Sequence, residues 1–178
     1  MYPFSAAPYI GHQFNSALIM QQEVFQSLIG EVTGAIGDRA LDSNLEAELN
    51  RSMPPGSSQF QAIFDACQAG IAGGWVCNRE AGGIKFGRVL KPGPGTRGFS
   101  ADVVDMKDIV GPHHRHPNGE IDLIMPLTPG AKFDGRGAGW RVYGADSAHH
   151  PTVTGGRALI LYLLPEGKIE FTPGPGVR

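Results

Sequence analysis

Apolar residues recur with two different periods along this chain, and the change from one to the other falls near residue 74. From Phe14 to Ile36 the positions Leu18, Val24, Phe25, Leu28, Ile29, Val32 and Ile36 return at steps of three and four, which predicts an amphipathic helix with one buried face. Ser43-Asn44-Leu45-Glu46 has the form of a capping box, so a short helix is predicted from there to about Arg51, ended by Pro54-Pro55-Gly56. Ser57 opens a third helix with Phe60, Ile63, Phe64, Cys67 and Ile71 along one side, and Gly73-Gly74 stops it. Residues 1–13, with Pro3, Pro8 and several aromatics, show no period and read as an arm of the kind that lies on a neighbouring subunit.

From Trp75 onward the period is two. Trp75 to Asn78 and Ile84 to Val89 flank Glu80-Ala81-Gly82-Gly83, which reads as a hairpin turn because adjacent glycines allow positive φ. A Pro/Gly loop, Pro92 to Gly98, precedes further short strands: Phe99 to Met106, a segment near His114, Ile121 to Leu127, Gly139 to Tyr143, His150 to Thr154 and Ala158 to Leu164. Lys168 to Phe171 reads as an added edge. Some eight strands without intervening helices predict a β-sandwich or jelly-roll barrel over residues 74–178, with residues 1–73 as a helical segment that packs on the barrel or on a partner subunit.

Composition narrows the class. A chain of 178 residues, 41% hydrophobic and 18% charged, is large enough for one domain with a substantial core. A net charge of −2 and the lack of any basic run argue against nucleic acid as a partner. No apolar run approaches the ~20 residues of a membrane span, and the N-terminus lacks a basic stretch followed by an apolar one. The only cysteines, Cys67 and Cys77, form no Cys-x-x-Cys pair and read as core residues, with a bridge between them the alternative; a cytoplasmic protein is expected.

The chemistry concentrates in Gly111-Pro112-His113-His114-Arg115-His116-Pro117-Asn118-Gly119-Glu120-Ile121-Asp122. On a strand, His114 and His116 share a face, and a turn at Pro117-Asn118-Gly119 can return Glu120 beside them. Two imidazoles and a carboxylate suit a divalent first-row metal such as Zn, Fe, Mn, Ni or Cu with a position left for water or substrate; no organic cofactor is expected.

The run His114-x-His116-x-x-x-Glu120, followed by a strand, a Gly-rich hairpin, a second strand and a further His, resembles the first metal-binding motif of the cupin superfamily. Gly144 to Val153 resembles a weakened second motif, in which cupins usually place a fourth ligand. Gly111 lies closer to His114 than in the usual pattern, and the Pro-x-Gly expected before the last His is missing. A narrower resemblance runs from about Gly74 to Phe171. Gly74 to Glu80, Phe99 to Met106, Gly119 to Asp122, Phe133 to Trp140 and Leu161 to Pro165 are similar to segments of the 4-hydroxylaminobenzoate lyase family. The resemblance implies a cupin-type jelly-roll β-barrel with an N-terminal helical segment, and conversion of 4-hydroxylaminobenzoate to 3,4-dihydroxybenzoate and ammonia. It also implies a small aromatic substrate and a homodimer or larger assembly.

On that reading His114, His116, Glu120 and a fourth His hold the metal, or act directly as acid and base if no metal binds. His149 and His150 point to opposite faces of a strand, and His149 is preferred because it shares its face with Pro151 and Val153. His113 faces away from His114. Glu120 serves as ligand or as general base, and Asp122, on the same face, is the next carboxylate in line. Asp134 reads as a turn former in its Gly-rich loop. An aromatic carboxylate calls for a cation, and Arg88, in phase with Ile84 and Phe86, and Arg79, in phase with Trp75 and Cys77, are the candidates, with Trp75 beside them. The competing readings are a cupin dioxygenase or isomerase using Fe or Mn, and a non-catalytic cupin sensor.

Overall fold

A computed structural model describes residues 11–174, so residues 1–10 of the expected arm lie outside the described residues. Helix α1 spans Gly11–Ile36, α2 Ser43–Ser52 and α3 Ser58–Ala72. The strands are β1 Arg79–Ala81, β2 Ile84–Leu90, β3 Phe99–Val110, β4 His114–His116, β5 Glu120–Pro126, β6 Lys132–Phe133, β7 Gly139–Tyr143, β8 Ser147–His149, β9 Thr152–Pro165 and β10 Glu170–Phe171.

Two antiparallel sheets result. The larger runs β1-β2-β3-β9-β5-β7, with β6 also paired to β9, and the smaller runs β10-β4-β8. One face of the large sheet carries the helices. Phe25, Ile29, Leu45, Leu49, Ile63 and Cys67 pack there with strand residues such as Val103, Ile121, Leu123, Leu161 and Leu163. The alternate strand residues, among them Val104, Met106, Ile124, Ile160 and Tyr162, form a second cluster on the other face. Strand β5 and the Ala158–Leu164 part of β9 are therefore buried on both sides, which is why Leu123-Ile124-Met125 and Ala158 to Leu164 read as continuous apolar runs rather than as alternation. Glu120 and Asp122 share the face of Ile124, on the opposite side of β5 from the helices.

Several local expectations are corrected. The α2 cap is Asp42 rather than Ser43: its carboxylate accepts from the Asn44 and Leu45 amides at 2.9 and 3.0 Å. Glu46 instead reaches the sheet, accepting from the Val142 amide at 3.0 Å and pairing with Arg141 at 3.2 Å. Trp75 to Asn78 is not a strand, because the Trp75 and Val76 amides are taken by the Gly70 carbonyl at the end of α3, at 3.0 and 3.1 Å. The segments expected at His150 to Thr154 and Ala158 to Leu164 belong mainly to one long strand, β9, bent at Gly155 and Gly156. Val24, expected on the buried face of α1, is 55% exposed. Both cysteines are buried free thiols.

Candidate metal centre and its cavity

Strand pairing assembles the histidines. In β4 the alternation that buries His114 and His116 turns Arg115 outward, and β8 pairs antiparallel with His149 directly opposite His114. The chain then crosses from the small sheet to the large one through Pro117-Asn118-Gly119. Gly119 has φ +87°, and a Cβ there would lie 2.7 Å from the Tyr143 carbonyl oxygen, so only glycine fits. The next residue, Glu120, begins β5 and faces the histidines from the second sheet.

The four side chains converge: one ligand atom from each of His114, His116, Glu120 and His149 lies within 4.8 Å of the others. His149 Nε2 is 3.1 Å from both His114 Nε2 and His116 Nε2. It lies 3.8 Å from Glu120 Oε1, while Glu120 Oε2 is 3.0 Å from His116 Nδ1. His114 Nδ1 faces the Pro112 carbonyl at 3.2 Å, an arrangement that leaves its Nε2 as a lone pair aimed at the cluster. Both Glu120 oxygens are buried without an aligned hydrogen-bond partner. Crowded imidazole nitrogens and an unpartnered buried carboxylate are repulsive by themselves, and a divalent cation relieves both. The residues present thus fit a metal.

Electrostatics favour the ligand forms of the two buried histidines. Burial first, and then the neighbouring His149, push His114 down to about 4. Burial, with His114 and His149 beside it, pushes His116 down to about 3. Both are neutral near pH 7. Burial drives the Glu120 and Asp122 carboxyls well above the usual range, and for Asp122 the adjacent Glu120 adds to the effect. Neither has an aligned donor, and a proton held by one of the pair supplies it.

Asp134, expected only to form a turn, does more. It sits at φ +47° ahead of Gly135 in a two-residue hairpin closed by reciprocal Phe133 and Arg136 backbone bonds. Its carboxylate also lies 2.5 Å from His149 Nδ1 and accepts from the Tyr143 hydroxyl at 2.7 Å and the Thr152 amide at 2.8 Å. Burial opposes its ionisation, but these hydrogen bonds outweigh burial and hold the carboxyl below its ordinary value. The Asp-Gly pair announced the turn; nothing in the sequence spacing announced the partner across 15 residues. His150 turns away, its Nδ1 on the Gly111 carbonyl at 3.1 Å, and its ring packs on His113.

A cavity of about 620 Å³ opens beside the cluster, and His114 is where the two meet. Phe86, Val104, Met106, Tyr162 and Leu164 give it apolar walls, while Arg79, Arg88 and Lys91 supply positive charge. Arg88 is already engaged, its Nε on Asp102 at 2.8 Å and an Nη on the Gly167 carbonyl at 3.0 Å. Arg79 has no carboxylate partner among the described residues. Trp75 lies apart, packed edge-on against Phe25 in the helical layer with ring centroids 5.9 Å apart.

Two antiparallel sheets holding a three-histidine, one-glutamate cluster define a cupin. The fold matches a chain from the crystal structures of the DMSP lyases RdDddP and RnDddQII with a TM-score of 0.52, covering 90% of this chain and 100% of that one at 14% identity, a likeness of fold alone. Within that class, residues 27–171 match the 4-hydroxylaminobenzoate lyase (PnbB) family, and the chain belongs to it. It is 31% identical over 147 residues to the 4-hydroxylaminobenzoate lyase of Nocardioides sp. (strain LMS-CY), covering 78% of this chain and 87% of that relative. To the Pseudomonas putida 4-hydroxylaminobenzoate lyase it is 31% identical over 153 residues, covering 76% and 87%.

Proposed function

We propose that this protein converts 4-hydroxylaminobenzoate, or a closely related aryl hydroxylamine, to 3,4-dihydroxybenzoate with release of ammonia. Family membership supports the reaction, and the cavity supports the substrate: apolar walls suit a ring, His114 stands at one side, and Arg79 and Arg88 offer charge to a carboxylate. The reaction consumes one water overall. The N–O bond breaks and its oxygen leaves as water. A water then adds to the ring carbon next to the nitrogen-bearing one, and a second displaces the nitrogen as ammonia.

Within this scheme His114, His116, Glu120 and His149 hold a divalent metal, with Zn, Fe, Mn or Ni all compatible with the donor set. Bound there, it supplies Lewis acidity towards the departing oxygen. Asp122, whose proton is retained by burial, neighbours Glu120, and the Glu120–Asp122 pair can release or take up a proton as the hydroxyl departs and water adds. Arg79 and Arg88 orient the substrate through its carboxylate, Arg88 with its guanidinium braced by Asp102. Trp75 has no part in this reading.

The same proposal includes a cytoplasmic protein, to which the two free buried thiols are suited, and a homodimer or larger assembly, for which Ile19, Met20 and Val24 on the exposed side of α1 offer an apolar surface. Purified protein incubated with 4-hydroxylaminobenzoate should release ammonia and form the catechol in equal amounts, with metal content measured on the same sample. Bound Fe(II) with oxygen consumption and no ammonia would replace the lyase reading by an oxygenase.

A further inference from the structure

We propose that Asp134 is a positioning residue for the cluster: it holds His149 in the tautomer protonated at Nδ1 and thereby presents the Nε2 lone pair to His114, His116 and Glu120. The inference rests on the metal-binding reading above. Its geometry is the 2.5 Å approach of Asp134 Oδ2 to His149 Nδ1, with His149 Nε2 aimed at the two Nε2 atoms 3.1 Å away. A carboxylate can only accept, so the proton between the two belongs to the imidazole.

Asp134 is itself held from several directions. Its backbone amide donates to the Thr152 carbonyl at 2.8 Å, and its Oδ1 accepts from the Thr152 amide at 2.8 Å. The Tyr143 hydroxyl, 2.7 Å from Oδ2, is held in its protonated donor form by burial and by its hydrogen bond to Asp134. The Tyr143 ring packs against His149, centroids 4.8 Å apart, and lies nearly parallel to His116 at 6.2 Å. One carboxylate therefore ties together the β6–β7 turn, the Tyr143 hydroxyl, the residue that opens β9 and one ring of the cluster, His149. Such partners orient ligating histidines and commonly change metal affinity by ~10–100-fold when removed.

The turn alone does not require a charge. At φ +47° asparagine is as well tolerated as aspartate, so Asp134→Asn keeps the hairpin and removes the carboxylate. An amide has a single acceptor oxygen. The Thr152 amide cannot reverse its role, whereas the imidazole and the tyrosine hydroxyl can, so the new carbonyl turns to Thr152 and the new NH2 to His149. That forces the His149 proton onto Nε2, where it blocks the cluster.

Long-range ¹H–¹⁵N spectra of metal-free protein labelled at histidine should show His149 protonated at Nδ1 in the wild type and at Nε2 in Asp134→Asn. Zn²⁺ affinity, measured by competition with a chromophoric chelator, should fall ~10–100-fold in the variant. A wild-type His149 protonated at Nε2 overturns the proposal without any variant. So does a folded Asp134→Asn protein with unchanged tautomer, or with Zn²⁺ affinity within about twofold of wild type. Tyr143→Phe leaves the Asp134–His149 bond intact, so it should retain the wild-type tautomer and lose less affinity; a tautomer change there would give the role to Tyr143 instead. A wild-type protein that binds no Zn²⁺ removes the metal reading, and the tautomer spectra still decide this one.

Discussion

At the scale of single residues, the cluster sets opposing demands on protonation. His114 and His116 are held down to about 4 and about 3 by burial, below the free imidazole value of ~6.5. For a depressed base the unfolded chain takes up protons first, so the metal-free protein should lose stability as pH falls from ~6.5 towards the folded values. The Glu120–Asp122 pair acts in the other direction. Its raised values favour the fold below the ordinary carboxylate range and disfavour it as pH rises. Asp122→Asn removes one buried acid and gives Glu120 a permanent donor. Its metal-free Tm should exceed wild type at about pH 8, with the difference vanishing towards about pH 4, as read by thermal melts across that range. For turnover, Glu120→Gln keeps size and hydrogen bonding but loses the charge, and should reduce ammonia release by ~100-fold or more in a protein that still folds. Arg88→Ala should instead chiefly raise KM for 4-hydroxylaminobenzoate and affect an uncharged aryl hydroxylamine much less. Equal loss on both substrates would remove Arg88 as an anchor.

At the scale of elements, the helical layer is tied to the sheet at one side of β7. Asn50 in α2 accepts from the Trp140 amide and donates to the Trp140 carbonyl, both at 2.9 Å, and Trp140 Nε1 reaches the Met53 carbonyl at 3.0 Å. Asn50→Ala leaves the Trp140 backbone groups without these partners. It should cost about 1–3 kcal/mol in denaturant unfolding, with little change in KM because the contact lies away from the cavity. The capping error belongs to the same element. Glu46 is spaced correctly for a capping box, yet the Val142 amide and Arg141 compete for its carboxylate, and Asp42 takes the cap.

For the whole molecule, the cluster joins the two sheets: three ligands come from β4 and β8, the fourth from the first residue of β5. A metal bound by all four is linked to the packing of small sheet on large. Zn²⁺ at a hundredfold excess over its Kd should stabilise the fold by ~2.7 kcal/mol, a rise in Tm of roughly 5–10 °C that a chelator reverses. An unchanged melting curve would place the metal outside this cluster or remove it.

The periodicities were enough to separate three helices from a β domain, because an amphipathic face or an alternating strand is written locally in residue spacing. The His114, His116 and Glu120 constellation was legible for the same reason: strand alternation and one glycine turn bring these neighbours together within a single short segment. The spacing also pointed to His149 over His150, since only one of two adjacent strand residues can face inward and His149 shares its face with Pro151 and Val153. What lay beyond it depends on contacts between distant segments. The engagement of Asp134 with His149, Tyr143 and Thr152 and the pairing of Arg88 with Asp102 are set by which strands lie side by side. The same holds for Trp75 under α1 and for the double burial of β5. Strand order and register are decided by the packed fold, because hydrogen-bond partners far apart in sequence leave no periodic trace.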